Sequence, residues 1–71
     1  MRFRQGEILL TKKHVFGTSV WNWQLSRAVD AVDGIGLVLA MNNEDNRGWT
    51  RVLTPNGKLG FIHRNNLKRV K

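Results

Sequence analysis

The side chains able to do acid–base, metal or nucleophilic chemistry are few in this chain, and they do not gather in sequence. There are two histidines, His14 and His63, no cysteine, and five acids, Glu7, Asp30, Asp33, Glu44 and Asp45. A zinc-type centre needs three or four histidine, cysteine or carboxylate ligands at spacings a turn can bring together, and none stand so here. No nucleophile–base–orienter set, phosphate-cradling glycine loop or pair of opposed carboxylates can be assembled either. The expectation is a protein that is not an enzyme and holds neither metal nor cofactor. Asp30, Asp33, Glu44 and Asp45 are expected as solvated loop acids.

The remaining chemistry is recognition. Large aromatic side chains anchor protein interfaces, and the chain carries three tryptophans, Trp21, Trp23 and Trp49. A strand through residues 49–54 sets Trp49 and Arg51 on one face and Val52 on the other, so the indole points away from the core side. The second resource is charge, +7 in 71 residues. It divides unevenly: +3 over residues 1–13, −3 over residues 14–46, and +7 over residues 47–71, which contain no acid. Such a balance attracts polyanions and says nothing about fold. First and last strands often meet in small barrels, which would bring Lys12 and Lys13 toward Arg64, Lys68 and Arg69. With Arg51, these are the candidate phosphate contacts, since small barrels with aromatics beside a positive groove bind single strands by stacking and counterion release. The competing reading is a solvated basic tail that keeps a small protein soluble.

The elements that must position these groups read as strands. The sharpest signal is residues 49–62, where Trp49-Thr50-Arg51-Val52-Leu53-Thr54 and Leu59-Gly60-Phe61-Ile62 flank Pro55-Asn56-Gly57-Lys58. β-branched and aromatic residues suit a half-buried pleated surface, and Asn-Gly takes the positive φ angles of a tight hairpin turn. Residues 6–13 form a first strand, with Ile8 and Leu10 on one face, Leu9 on the other, and both faces expected to be covered. Residues 35–41 are a continuous apolar run expected as a buried strand. The Asn/Asp-rich stretch that follows is a loop, residues 64–66 a short turn, and residues 67–70 a last strand. Residues 14–33 support two patterns. Trp21, Leu25, Ala28 and Val32 recur at helical spacing, with Ser19 or Asn22 as N-cap, while Trp21, Trp23 and Leu25 alternate as in a strand. The strand-like neighbours favour a long, irregular hairpin arm.

These elements describe an all-β fold, a small barrel of four to five short strands carrying a long arm. Seventy-one residues suit one domain. No apolar run is long enough to span a bilayer or to serve as a secretory signal. The expectation is a cytoplasmic protein, or a component of a particle, that has no membrane partner.

The last half of the chain resembles an SH3 domain. Gly36-Leu37-Val38-Leu39 is similar to the strand before the n-Src loop, residues 42–47 to that loop, and Trp49-Thr50-Arg51-Val52 to the family's Trp-x-x-Ala strand. Gly60-Phe61-Ile62-His63 through Leu67 is similar to its Gly-Tyr-Ile-Pro segment. His63 replaces the groove proline and Asn66 its tyrosine, and the chain has no tyrosine at all. The aromatic row that grips polyproline ligands is thereby reduced to Trp49, with Trp21 or Trp23 as substitutes from the arm. The resemblance implies an SH3-like barrel with a protein-binding face built from Trp49, Trp21, Trp23, His63 and Asn66. A closer resemblance is to the small SH3-like proteins of bacteriophages, with their Gly-x-Gly-Leu-Val-Leu strand, Trp-x-x-Val-Leu strand, Asn-Gly-Lys turn and Gly-Trp-x-His-x-x-x-Leu ending. Residues 34–39, 49–53, 56–58 and 60–67 follow that layout, with Phe61 in place of the tryptophan.

Three readings of function follow. The first is a non-catalytic module that binds another protein through the Trp49 face. The second is a basic nucleic-acid-binding barrel, and the third is a structural subunit of a phage particle.

Overall fold

The computed structural model describes residues 2–12, 18–22, 25, 27–32 and 36–70. Among them the backbone forms seven strands: β1 (Ile8–Thr11), β2 (Thr18–Asn22), β3 (Arg27–Val32), β4 (Leu37–Ala40), β5 (Trp49–Leu53), β6 (Leu59–His63) and β7 (Leu67–Arg69). A 3-10 turn, Arg64–Asn66, links β6 to β7. Every pairing is antiparallel, in one sheet ordered β3-β2-β6-β5-β4-β1-β7. The fold is all-β, small and barrel-like. Along the chain, the arm follows the first strand, a polar loop precedes β5, a tight hairpin joins β5 to β6, and the 3-10 turn leads into β7.

The core follows from period-2 alternation. Leu9, Val38, Ala40, Val52 and Ile62 face inward from four neighbouring strands, and Phe3 and Leu67 close the ends. Each fully buried Leu, Val or Ile among them contributes about 1.5–3 kcal/mol of transfer free energy. In the β5–β6 hairpin Thr50 pairs with Ile62 and Leu53 with Leu59. The turn is closed by the Thr54 N–H to the Lys58 carbonyl, 2.9 Å, and by the Gly57 N–H to the Thr54 carbonyl, 2.9 Å, with Gly57 at φ +80°. The expected tight turn is therefore present, with Gly57 supplying its left-handed residue.

The arm is a β-hairpin, β2 against β3, with a register shift between Val20 and Trp21. This is the irregular hairpin favoured over the helical stripe, whose members do not share a face: Leu25 and Ala28 are exposed, whereas Val32 is buried. Asn22 uses its capping capacity otherwise, since its side-chain oxygen accepts the Leu25 N–H at 3.0 Å within the hairpin bend. The arm docks through Val20, fully buried against β6. A Cβ on Gly60 would lie 2.6 Å from Val20 Cγ1 and 2.9 Å from the Trp21 carbonyl oxygen. Position 60 must therefore be glycine for the arm to sit this close.

Two expectations of two-sided burial are corrected. In β1, Leu9 is buried while Ile8 is exposed, and in β4, Val38 and Ala40 are buried while Leu37 and Leu39 are exposed. The sheet covers one face of these strands only. A continuous apolar run there reflects an apolar outer surface as well as a core.

Candidate interaction site

The loop between β4 and β5 is built by its two acids. The Asp45 carboxylate accepts the N–H groups of Arg47 at 2.8 Å and Trp49 at 3.0 Å. Backbone bonds from the Asp45 N–H to the Trp49 carbonyl and from the Gly48 N–H to the Asp45 carbonyl complete the bend. Stabilised first by the Trp49 N–H and further by that of Arg47, the Asp45 carboxyl is held below the usual carboxylate range. Asp45 thus fixes the start of β5, and with it the Trp49 backbone.

Glu44 is the opposite of a solvated acid. Its side chain is 1% exposed and ion-pairs with Arg64 at 3.6 Å. A second oxygen accepts the Phe3 N–H at 3.3 Å, while the Glu44 N–H donates to the Phe3 carbonyl at 2.9 Å. The N-terminal segment is laced to this loop further by the Gln5 N–H to the Asn43 side chain, 2.8 Å, and by Arg2 to Asn46, 3.2 Å. The expectation of loop acids pointing into water is therefore wrong for Glu44 and Asp45. Backbone N–H groups with no strand partner recruited both carboxylates.

Above this loop stands His63. Its Nδ1 accepts the Asn65 N–H at 3.2 Å, which leaves Nε2 to donate to the Arg47 carbonyl oxygen 3.0 Å away. The ring is pinned on both nitrogens. Trp49 pairs with His63 across the β5–β6 ladder, and the rings meet edge to face with centroids 5.1 Å apart. Gly48 makes the approach possible. It sits at φ +88°, and a Cβ there would fall 2.9 Å from His63 Nε2 and 3.2 Å from Arg64 Cδ.

Trp49 and His63 are both half-buried, leaving part of each ring on the surface. The next row of the same sheet face, about 7 Å along β6, pairs Trp21 with Phe61 and Phe61 with Arg51. The sheet therefore brings Trp49, His63 and Trp21 onto one face, with Phe61, which the sequence reading did not single out, between the last two. Asn66 is half-buried in the adjoining 3-10 turn, its carbonyl accepting the Lys12 N–H at 2.9 Å. Trp23 lies outside the described residues.

The candidate basic residues do not form one surface. Arg69 turns inward across the N-terminal segment: its Nε donates to Glu7 at 2.8 Å, its Nη2 to the Arg2 carbonyl at 2.9 Å, and its guanidinium lies 4.9 Å from the Phe3 ring centre. Arg69, and then the Arg4 N–H, hold the Glu7 carboxyl below its ordinary range. Arg64 reaches back to Glu44. Arg51 is exposed on β5, beside Phe61. Lys68 is exposed opposite Leu10, and Lys12 is exposed two residues beyond Leu10, just past the end of β1, so these two are diagonal neighbours. Lys13 lies outside the described residues. Phe3, Glu7, Glu44 and Asp45 carry much of the site's scaffold, and sequence reasoning gave none of them that role. The available signal was an acid flanked by loop residues just before a Gly-Trp pair, the composition of an Asx-type turn.

Among the described residues, no three histidine, cysteine or acidic side chains gather as a metal site would require, and no helix is long and apolar enough to cross a membrane. No protein-family model, curated protein or solved structure matches the chain.

Proposed function

We propose that this chain is a non-catalytic, SH3-like interaction module that binds another protein through the face carrying Trp49, His63, Phe61 and Trp21. The observation that carries the reading is the fixing of Trp49 before any partner arrives. Asp45 holds its backbone N–H, and His63, itself bonded through both ring nitrogens, packs against its edge. An anchor already ordered in the free protein loses little rotamer freedom on binding, which is where preorganised interfaces gain affinity. The sequence resemblance to small phage proteins supports a partner of phage or host origin.

Affinity capture with wild-type and Trp49→Ala protein, each verified as folded by its thermal melt, tests the reading. A partner held by wild type should be lost at least roughly tenfold by the variant, as for a central aromatic anchor. Retention of the same partner by the variant would sink the proposal. The nucleic-acid reading keeps one supporting observation, the adjacent exposed pair Lys12 and Lys68. Two neighbouring lysines support a weak, salt-sensitive contact with phosphates.

A further inference from the structure

A second surface lies at the other end of the same sheet. Ladder pairing sets Ile8 opposite Leu39, Leu39 opposite Leu53, and Leu53 opposite Leu59, an unbroken apolar row across β1, β4, β5 and β6. The adjoining row pairs Leu10 with Leu37. All lie on the outer face, with Ile8 57%, Leu37 51%, Leu59 40% and Leu39 36% exposed. Ile8, Leu37, Leu39, Leu53 and Pro55 line an open hollow of about 310 Å³ whose floor includes Val38. Single exposed leucines are ordinary on protein surfaces, but a contiguous row that spans four strands is typical of an interface. Leu53 is four residues from Trp49, about 13 Å along β5. The row adjoins the Arg51–Phe61 pair at the near edge of the Trp49 face and extends away from it across β4 and β1.

The charges around the row indicate its occupant. Lys58 precedes Leu59, Arg51 stands on the same face of β5 as Leu53, and Lys68 lies opposite Leu10, all three exposed. Glu7, Glu44 and Asp45 are engaged by Arg69, by Arg64 with the Phe3 N–H, and by their own loop, so they add no counter-charge here. A two-fold pairing of the chain with itself would place the same patch on both sides. Such a pairing brings two copies of the same basic margin to one interface with no free acid among Glu7, Glu44 and Asp45 to offset them. The complementary surface is apolar at its centre and acidic at its rim.

We propose that the Ile8–Leu39–Leu53–Leu59 row docks a second protein, through a segment that seats one or two large apolar side chains in the hollow and sets Asp or Glu beside Arg51, Lys58 and Lys68. Together with the Trp49 face this would make the chain a connector between two partners.

The test is selection from a displayed library of random 16-residue peptides, with counter-selection on the Ile8→Lys/Leu37→Lys variant. Both positions are more than half exposed, so the substitutions leave the core intact; Leu37→Ser/Leu59→Ser serves instead if the first pair melts early. The expected outcome is enrichment of peptides with an apolar centre and acidic flanks. These should bind wild type at least roughly tenfold more tightly than the variant, should weaken from about 50 to about 300 mM salt, and should be unaffected by Trp49→Ala. Failure to enrich patch-dependent peptides, or enrichment of peptides without acids, would overturn the proposal. So would a dimer seen by sedimentation and lost in the variant, which would assign the patch to a second copy of this chain.

Discussion

Gly48 and Gly57 allow the scaffold under Trp49 to be weighed by a matched pair of substitutions. Both have positive φ, +88° and +80°, so alanine at either position should incur a similar backbone strain of about 1–2 kcal/mol. Their surroundings differ. A Cβ at Gly57 meets nothing within 4 Å, whereas at Gly48 it lies 2.9 Å from His63 Nε2 and 3.2 Å from two atoms of Arg64. Arg64 is mostly exposed, and its displacement would loosen its 3.6 Å pair with the buried Glu44. His63 cannot move without stretching its 3.0 Å bond to the Arg47 carbonyl, which is worth about 0.5–1.5 kcal/mol net, and without disturbing its contact with Trp49. Gly48→Ala should therefore cost about 2–3 kcal/mol and Gly57→Ala about 1–2 kcal/mol. In a domain of this size the difference corresponds to a further fall of about 4–8 °C in melting temperature per kcal/mol. Thermal and urea melts followed by far-UV circular dichroism measure both variants under one protocol. Equal losses would mean that crowding by His63 does not occur, and the account of how Trp49 is fixed would fail.

Three further outcomes are expected. Thr50 is fully buried, and its hydroxyl has no hydrogen-bond partner among the described residues, so Thr50→Val should raise stability by about 1 kcal/mol in a urea melt. Because the Glu7 and Asp45 carboxyls titrate below their ordinary values in the fold, their contribution to stability is complete above the unfolded-state range, about pH 4. It is lost as pH falls through the lowered folded values, so melting temperature should drop on acidification below about pH 4, and less steeply in Glu7→Gln. Arg69→Ala should lower the melting temperature by releasing Glu7 and Phe3 while leaving any binding of a labelled oligonucleotide unchanged, whereas Lys12→Glu/Lys68→Glu should weaken that binding and spare the fold.

What the sequence revealed follows from which interactions are local. The β5–β6 hairpin is written in adjacent residues, with β-branched and aromatic runs around Pro55-Asn56-Gly57, and it folds as read. Trp49 and Arg51 facing away from Val52 is simple alternation, and it holds as well. The arm was ambiguous because Trp21, Leu25, Ala28 and Val32 fit two periods, and the deciding contact, Val20 against Gly60, joins residues far apart in the chain. The same distance hid Glu44, whose partners Phe3 and Arg64 lie in the first strand's approach and in the 3-10 turn. Arg69 counted as a free cation in the sequence, yet Glu7 and Phe3 meet it only once β7 has paired with β1. Ile8, Leu37 and Leu39 were expected to be covered, since composition does not distinguish an apolar face that meets water from one that meets the sheet.

The most direct test of the Trp49 face is a photo-crosslinker placed at Asn65, an exposed residue whose N–H bonds to His63, in the full chain expressed in its host cell. The expected result is a discrete protein adduct, identified by mass spectrometry, that disappears when Trp49→Ala is added while the protein still folds. An adduct with nucleic acid, or a protein adduct indifferent to Trp49→Ala, would contradict it.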